Sequence, residues 1–405
     1  MRQKQFKIAI FIIVFVYLLT FGIILPIMCW NLPFSRYYVR RKSTHTVDSA
    51  IKKDTFEAKK AYKYFSDMEP PESSIEFYNQ AFVTRNPKYA IGIITVKRRA
   101  LDTNSKPYSP QYLPRVVARF DKLLKKYNKK DVVFFLCNAQ SDPEEHGTAW
   151  ELAKYVPSVH KVRSPLKKRL PNSRELEKQD YVFCMNHIRK FNATYSILVQ
   201  DDALPYPQFI KELDHLVTTR IENKFVRGRL QKNTDTLASV KFYFPEKWEG
   251  YGAESRLIIE LIAVGAFGGG ILYAIFSIFW FTDKTCSQSF IMFIMWSFYI
   301  GLLMFVIGRP YLLSLRMLSP DYYSIVSAPE CCIPAVLYKT KYIELLENHL
   351  RGITCHNTYP LDVAISRFFQ QLSLKQYLVV PNLFDHIGLF SSLHKEPKDP
   401  HSFMT

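Results

Sequence analysis

Three long apolar runs limit this chain more than anything else in it. Phe6 to Leu25 carries one charge, Lys7, at its edge, and is otherwise dominated by Ile, Phe, Val and Leu. Leu257 to Phe281 contains a single charge, Glu260, and Phe290 to Gly308 contains none. About 20 such residues in a helix cross a bilayer, and a water-soluble core has no room for three of them. The first run continues into "PIMCW" without a small-residue cleavage site, so it reads as an uncleaved anchor. The polar link "TDKTCSQS" between the other two can only turn the chain around, which predicts a helical hairpin with both ends on one side of the membrane. Glycines 265, 268, 269 and 270 suit close packing of its helices, and Glu260 is near enough to a helix end to reach the interface.

The remaining sequence is expected to be soluble. We read 1–7 as a tail, 8–30 as the anchor and 31–85 as a stem with some helix. Residues 86–256 and 309–405 are two parts of a folded domain, and 257–308 is the hairpin between them. From Tyr89 the pattern alternates. "YAIGIITVKR" is a buried strand ending in basic residues, and "RVVARFDKLLKKY" puts Val116, Phe120, Leu123, Leu124 and Tyr127 on one helical face. "DVVFFLC" is a second strand, "RELEKQDYVFCMNHIRKF" a helix, and "ILVQDDALP" a third strand that turns acidic at its end. Strand and helix in alternation predict an α/β layer with a mostly parallel sheet. Such sheets bind ligands at the carboxyl ends of their strands, where Thr95, Lys97, Arg98, Asn138, Asp201 and Asp202 are expected to lie.

Charge narrows the partners. Lys and Arg number 54 against 36 Asp and Glu, a net +18, gathered in "VKRR" (96–99), "KKYNKK" (125–130) and "KVRSPLKKR" (161–169). Nucleic acid is one reading of such clusters. For an anchored chain we favour solvated faces, anionic headgroups and the phosphates of a nucleotide donor. Arg2, Lys4 and Lys7 precede the first span, yet Arg36, Arg40, Arg41 and Lys42 follow it, so the positive-inside rule does not assign the tail to the cytoplasm. None of the seven cysteines has the CxxC spacing of a zinc site. Disulfides among Cys137, Cys184, Cys331, Cys332 and Cys355 are open to a lumenal domain, including a vicinal Cys331–Cys332 bridge or an arm to Cys355. One glycosylation sequon begins at Asn192.

Two adjacent acids at a strand end can simply cap the next element. The sharper reading is a divalent clamp, because Mg²⁺ and Mn²⁺ take hard oxygen ligands and are usually held by one or two carboxylates plus substrate phosphates. His386, just past the apolar strand in "VVPNLFDHIGLFSSL", is a candidate third ligand. Asp362, opening a helix in "PLDVAIS", reads either as a partner of the helix dipole or as a general base.

In this order, "IGIITVKR", "ILVQDDALP", "PLDVAIS" and "VVPNLFDHIGLFSSL" resemble the GT-A-fold glycosyltransferases related to N-acetylglucosaminyltransferase IV. The hairpin between the acidic and histidine motifs is similar to the Golgi GPI-N-acetylgalactosamine transferase family. The resemblance implies a GT-A, Rossmann-like nucleotide-sugar domain split by the hairpin and lying, with the stem 31–85, in the lumen of the Golgi, which leaves 1–7 as a cytoplasmic tail of a multi-pass protein. It would use UDP-GalNAc and Mn²⁺ to modify the first mannose of the glycan on GPI-anchored proteins, with inversion and without nucleic acid. By that resemblance Asp362 is the base, Asp202 and His386 are metal ligands, and Asp201 faces ribose and metal. Lys178, Asp180 and Tyr181 match a segment near the donor. Gln200 departs from the family, which usually has an acid there. Two rivals stand beside this reading: a transferase of the same fold acting on N-glycans or glycolipids, and a non-catalytic scaffold on a decayed transferase domain.

Overall fold

The structure, a computed structural model, describes residues 2–39, 43–68, 71–83, 87–98, 100–103, 106–162, 172–226, 229–232, 236–252, 255–280 and 286–390. Arg40, Arg41, Lys42, Arg99 and the basic stretch 163–169 lie outside the described residues, as do residues 281–285 of the hairpin turn. The chain forms two units. One comprises Met1–Ser43 and Pro245–Leu318, and the other Thr44–Phe244 and Ser319–Pro400.

Among the described residues, the first unit holds three helices long and apolar enough to cross a membrane: Phe6–Cys29, Ser255–Ile278 and Ser287–Ile307. The anchor helix loosens into a wider turn at Thr20–Ile24, just before Pro26. Proline lacks the N–H that would bond back into that turn. In the hairpin, the glycines lie against the facing helix. A Cβ on Gly265 would come 2.9 Å from the Ser297 carbonyl, and one on Gly269 would collide with the Ser297 backbone. The backbones meet because no side chain intervenes. Arg309, just beyond the second helix, grips Glu260 at 2.9 and 3.0 Å, so the one acid within the two hairpin helices is paired. Phe11, Leu18, Phe267 and Ile278 are exposed, as lipid-facing side chains should be.

The second unit is built on an eight-stranded sheet. Across the sheet the strands run Ser324–Ser327, Lys375–Val380, Leu237–Lys241, Ala335–Lys339, Tyr195–Gln200, Tyr89–Thr95, Val133–Asn138 and Ser158–His160. Tyr89–Thr95 pairs in parallel with both Tyr195–Gln200 and Val133–Asn138, while Ala335–Lys339 runs antiparallel between Tyr195–Gln200 and Leu237–Lys241. Ile197, Leu198 and Val199 are wholly buried. A strand covered on both faces needs this unbroken apolar run rather than alternation. Leu237–Lys241 precedes the hairpin in sequence and its two neighbours follow it, so a single sheet is closed by strands from both sides of the insertion.

Helix Tyr112–Lys126 buries Val116, Val117, Phe120, Leu123 and Leu124. Helix Ser173–Arg189 starts at Asn172, whose side chain accepts from the Glu175 N–H at 2.8 Å, a cap that satisfies one orphan donor. The stretch 31–85, expected as a stem, does not stand off as a free spacer. Its helices Ser43–Ser66 and Pro71–Val83 belong to the globular unit from Thr44 onward. Asp54 pairs with Arg115 at 2.6 Å, and Tyr64 and Tyr78 donate to the buried Asp121.

Candidate active site

The acid pair follows Tyr195–Gln200 at the carboxyl edge of the sheet, as the sequence predicts. The strand does not stop there. After a two-residue turn it resumes as Ala203–Pro205, which pairs antiparallel with Phe384–His386. In this register His386 lies opposite Ala203, one residue from Asp202, and the Asp202 carbonyl accepts from the Ile387 N–H at 2.9 Å. His386 Nε2 lies 3.6 Å from Asp202 Oδ2. The resumed strand is therefore what brings two motifs 184 positions apart together.

Arg98 binds the acids to each other. One nitrogen of its guanidinium donates to Asp201 and, at 2.8 Å, to Asp202 Oδ2; the other donates to the Phe390 carbonyl at 2.7 Å. The group lies over the Tyr112 ring at 4.9 Å. Burial opposes its charge, but the two carboxylates outweigh burial and keep it protonated. Burial also pushes the Asp201 carboxyl up, reinforced by the Asp202 charge and opposed by Arg98. For Asp202, burial is outweighed by Arg98 and His386, which hold its carboxyl below the ordinary value.

Both Asp201 oxygens are committed, one to Arg98 and the other to Thr95 Oγ1 at 2.8 Å. Thr95 Oγ1 also lies 2.8 Å from His146 Nε2. The threonine spends its single proton on Asp201, so His146 must be the donor in that contact. Burial, aided by Lys97 and Arg98, lowers His146 to about 4 and keeps it neutral. Sequence reasoning missed His146; its only signal is its place in the loop after a strand end. Asn138 shapes the same loop, donating to the Pro143 carbonyl at 3.2 Å and accepting from the Gln140 N–H at 3.2 Å. Lys97 is exposed, with its backbone N–H on Gln140.

Asp202 Oδ1 is buried without a hydrogen-bond partner among the described residues. Gly388 leaves the space beside this carboxylate open, since a Cβ there would lie 2.5 Å from Asp202 Oδ2 and 3.0 Å from His386 Cε1. Among the described residues no three His, Cys, Asp or Glu side chains form a complete metal cage. An orphaned carboxylate oxygen beside a histidine instead fits a cation that takes two protein ligands and completes its shell with phosphate and water.

Asp362 opens helix Leu361–Gln371. Its Oδ1 accepts from the Val363 N–H at 3.0 Å and its Oδ2 from the Cys332 N–H at 2.9 Å. Cys332 leads into Ala335–Lys339, where Ala335 lies opposite Val199. Asp362 is thereby tied to the same edge of the sheet as the acid pair. Lys241, a buried lysine that sequence reasoning also missed, donates to the carbonyls of Pro329, Glu330 and Cys331 at 2.7, 3.1 and 2.7 Å, fixing the loop that carries Cys332.

The residues of the segment matched to the donor site all have partners within the protein. Lys178 pairs with Glu175 at 2.8 Å and donates to the Ile353 carbonyl. Tyr181 is in the core, its hydroxyl 2.8 Å from that of Tyr338. Asp180 pairs with Lys161 at 2.8 Å, and burial pushes its carboxyl up to about 6. The disulfide is Cys137–Cys184, joining a strand end to helix Ser173–Arg189. Cys355 is free and buried, with no arm to the Cys331–Cys332 pair. The Asn192 side chain is exposed.

An α/β domain that collects its acids at the carboxyl edge of the sheet, and closes that sheet across a helical insertion, fits a membrane-anchored glycosyltransferase. The profile of the family described as GPI-N-acetylgalactosamine transferase PGAP4 matches residues 89–385, from the first sheet strand through the hairpin to the residue before His386. The chain belongs to this family, whose chemistry is the transfer of N-acetylgalactosamine to the GPI-anchor glycan.

Proposed function

We propose that the protein is a Golgi enzyme moving GalNAc from UDP-GalNAc to the first mannose of the glycan on GPI-anchored proteins, with inversion and with a divalent metal such as Mn²⁺. The observation that carries the reading is the convergence of Asp202 and His386 on one buried, half-satisfied carboxylate, from opposite sides of a membrane hairpin in sequence. Asp202 Oδ1 and His386 would hold the metal, which when bound offsets the charge of the diphosphate leaving group. Asp201 is not free for that duty; with Arg98 and Thr95 it keeps Asp202 in place. Among the described residues of the first strand end, exposed Lys97 is the basic residue available to donor phosphates, since Arg98 is engaged with the acids.

Asp362 would take the proton of the mannose hydroxyl as it attacks the sugar face opposite the departing UDP, which inverts the anomeric centre. Hydrogen bonds from Val363 and Cys332 orient its carboxylate. The Cys137–Cys184 bridge supports an oxidising lumen as the home of this unit. Membrane spans suit an acceptor that is itself tethered to lipid.

Cells lacking the protein should be rescued with wild type, Asp202→Ala or Asp362→Asn, and their released GPI glycans analysed by mass spectrometry. GalNAc-bearing glycans should return only with wild type, although all three proteins reach the Golgi. Restoration by Asp202→Ala would remove the metal clamp from the mechanism, and restoration by Asp362→Asn would remove the base.

A further inference from the structure

Cys331 and Cys332 are adjacent, partly exposed, and have their sulfurs 2.8 Å apart. This is much closer than two unbonded sulfurs need to be, and it occurs with Cys332 in the left-handed region, at φ 72°, where a residue with a Cβ is uncommon. The backbone is thus bent to bring the two thiols onto one side. Both ends of the bend are fastened: Lys241 holds the carbonyls of Pro329, Glu330 and Cys331, and the Cys332 N–H is bound to Asp362 Oδ2. The thiols are unequal. Cys331 is lowered by the hydrogen bond from Cys332 and by nearby Lys241, and Cys332 is raised by the same contact and by burial. One is set to attack and the other to keep its proton.

We propose that Cys331–Cys332 is a reversible vicinal dithiol–disulfide site whose open form, the one seen here, holds the Cys332 N–H on Asp362, and whose closure turns the peptide between the two cysteines and withdraws that N–H from the carboxylate. This rests on the reading of Asp362 as the base. The Cys331 thiolate attacks a low-molecular-weight disulfide, bonding to one sulfur and expelling the other half as a thiol. The Cys332 sulfur, losing its proton, then attacks the Cys331 sulfur and releases the second half. Two electrons pass from the cysteine pair to the oxidant, and both protons end on the released thiols or in solvent. Adjacent Cα atoms are about 3.8 Å apart across a trans peptide, shorter than the roughly 4.4–6.8 Å that ordinary bridges adopt. The ring is therefore strained, and strained, accessible bridges are the labile ones. The buried Cys137–Cys184 bridge is not, and remains closed through the cycle.

The full-length protein in detergent should be equilibrated in glutathione buffers of graded poise, quenched with an alkylating agent and peptide-mapped. The peptide bearing both cysteines should pass from doubly alkylated to unalkylated and lighter by two hydrogens, and phenylarsine oxide should capture its reduced form. A peptide doubly alkylated at every poise, or linked to Cys355, overturns the site. In parallel, transfer from UDP-GalNAc should fall about tenfold on oxidation of the pair, while Cys331→Ser/Cys332→Ser is indifferent to poise. A bridge that opens and closes without changing the transfer rate overturns the coupling to Asp362. Failure of Asp362 as the base appears separately, as activity retained by Asp362→Asn with the pair reduced.

Discussion

At the scale of single residues, the acid pair is sustained by one cation. The Arg98 side chain is 12% exposed and those of Asp201 and Asp202 are 7% and 8% exposed, so removing the guanidinium leaves two adjacent buried carboxylates without the cation they share. Breaking a buried pair from one side costs about 3–5 kcal/mol. Arg98→Ala should therefore lower the denaturation midpoint by that equivalent, and Asp201→Asn added to it should restore part of the loss. Glu177 is pushed from its ordinary 4.5 up to about 7 by burial, opposed by Arg174 and aided by Asp362 and Asp180. An acid raised in the folded state binds its proton there between about 4.5 and 7 while the unfolded chain has lost it. Its contribution is present at low pH and fades as pH climbs through that window. Thermal melts of Glu177→Gln across this range should lack that decline, and a slope equal to wild type would contradict the assignment.

Among elements, the short pairing of Ala203–Pro205 with Phe384–His386 matters most, because it converts two distant motifs into neighbours. The segment after it has one required small residue. At Gly388 a side chain would press on Asp202 Oδ2 and the His386 ring. Gly388→Ala should leave the thermal midpoint within a degree or two while cutting transfer about 10–100-fold, as measured on the purified enzyme. A large loss of stability with proportionate loss of activity would instead make the residue a packing element. The strand ends at Thr95, Asn138 and Gln200 were legible in sequence because a strand buried on both faces advertises itself by an apolar run. Leu237–Lys241 was not legible. It is only five residues long, mixed in character, and gains its place from neighbours that follow the hairpin. His146 was hidden for a related reason: nothing local distinguishes a buried loop histidine from an exposed one.

For the molecule as a whole, the globular unit is fastened covalently as well as by its core. Cys137–Cys184 closes a loop across a sequence separation of 47, and constraint of the unfolded chain by such a loop is worth roughly 4 kcal/mol. Cys137→Ala/Cys184→Ala should lose about that much in chemical denaturation, with no rearrangement to Cys331, Cys332 or Cys355 seen in peptide maps.

What the sequence determined by itself was set by solvent. Three apolar runs must leave water, a parallel sheet must be covered on both faces, and acids at a strand end must find a cation; each constraint acts within a few residues of its cause. The tertiary structure decided which cation the acids found in the protein, that Asp201 is bound by both Arg98 and Thr95, and that Cys137 takes Cys184. Those outcomes depend on distances between segments far apart in the chain, and such distances are fixed only when strands from both sides of the hairpin join one sheet.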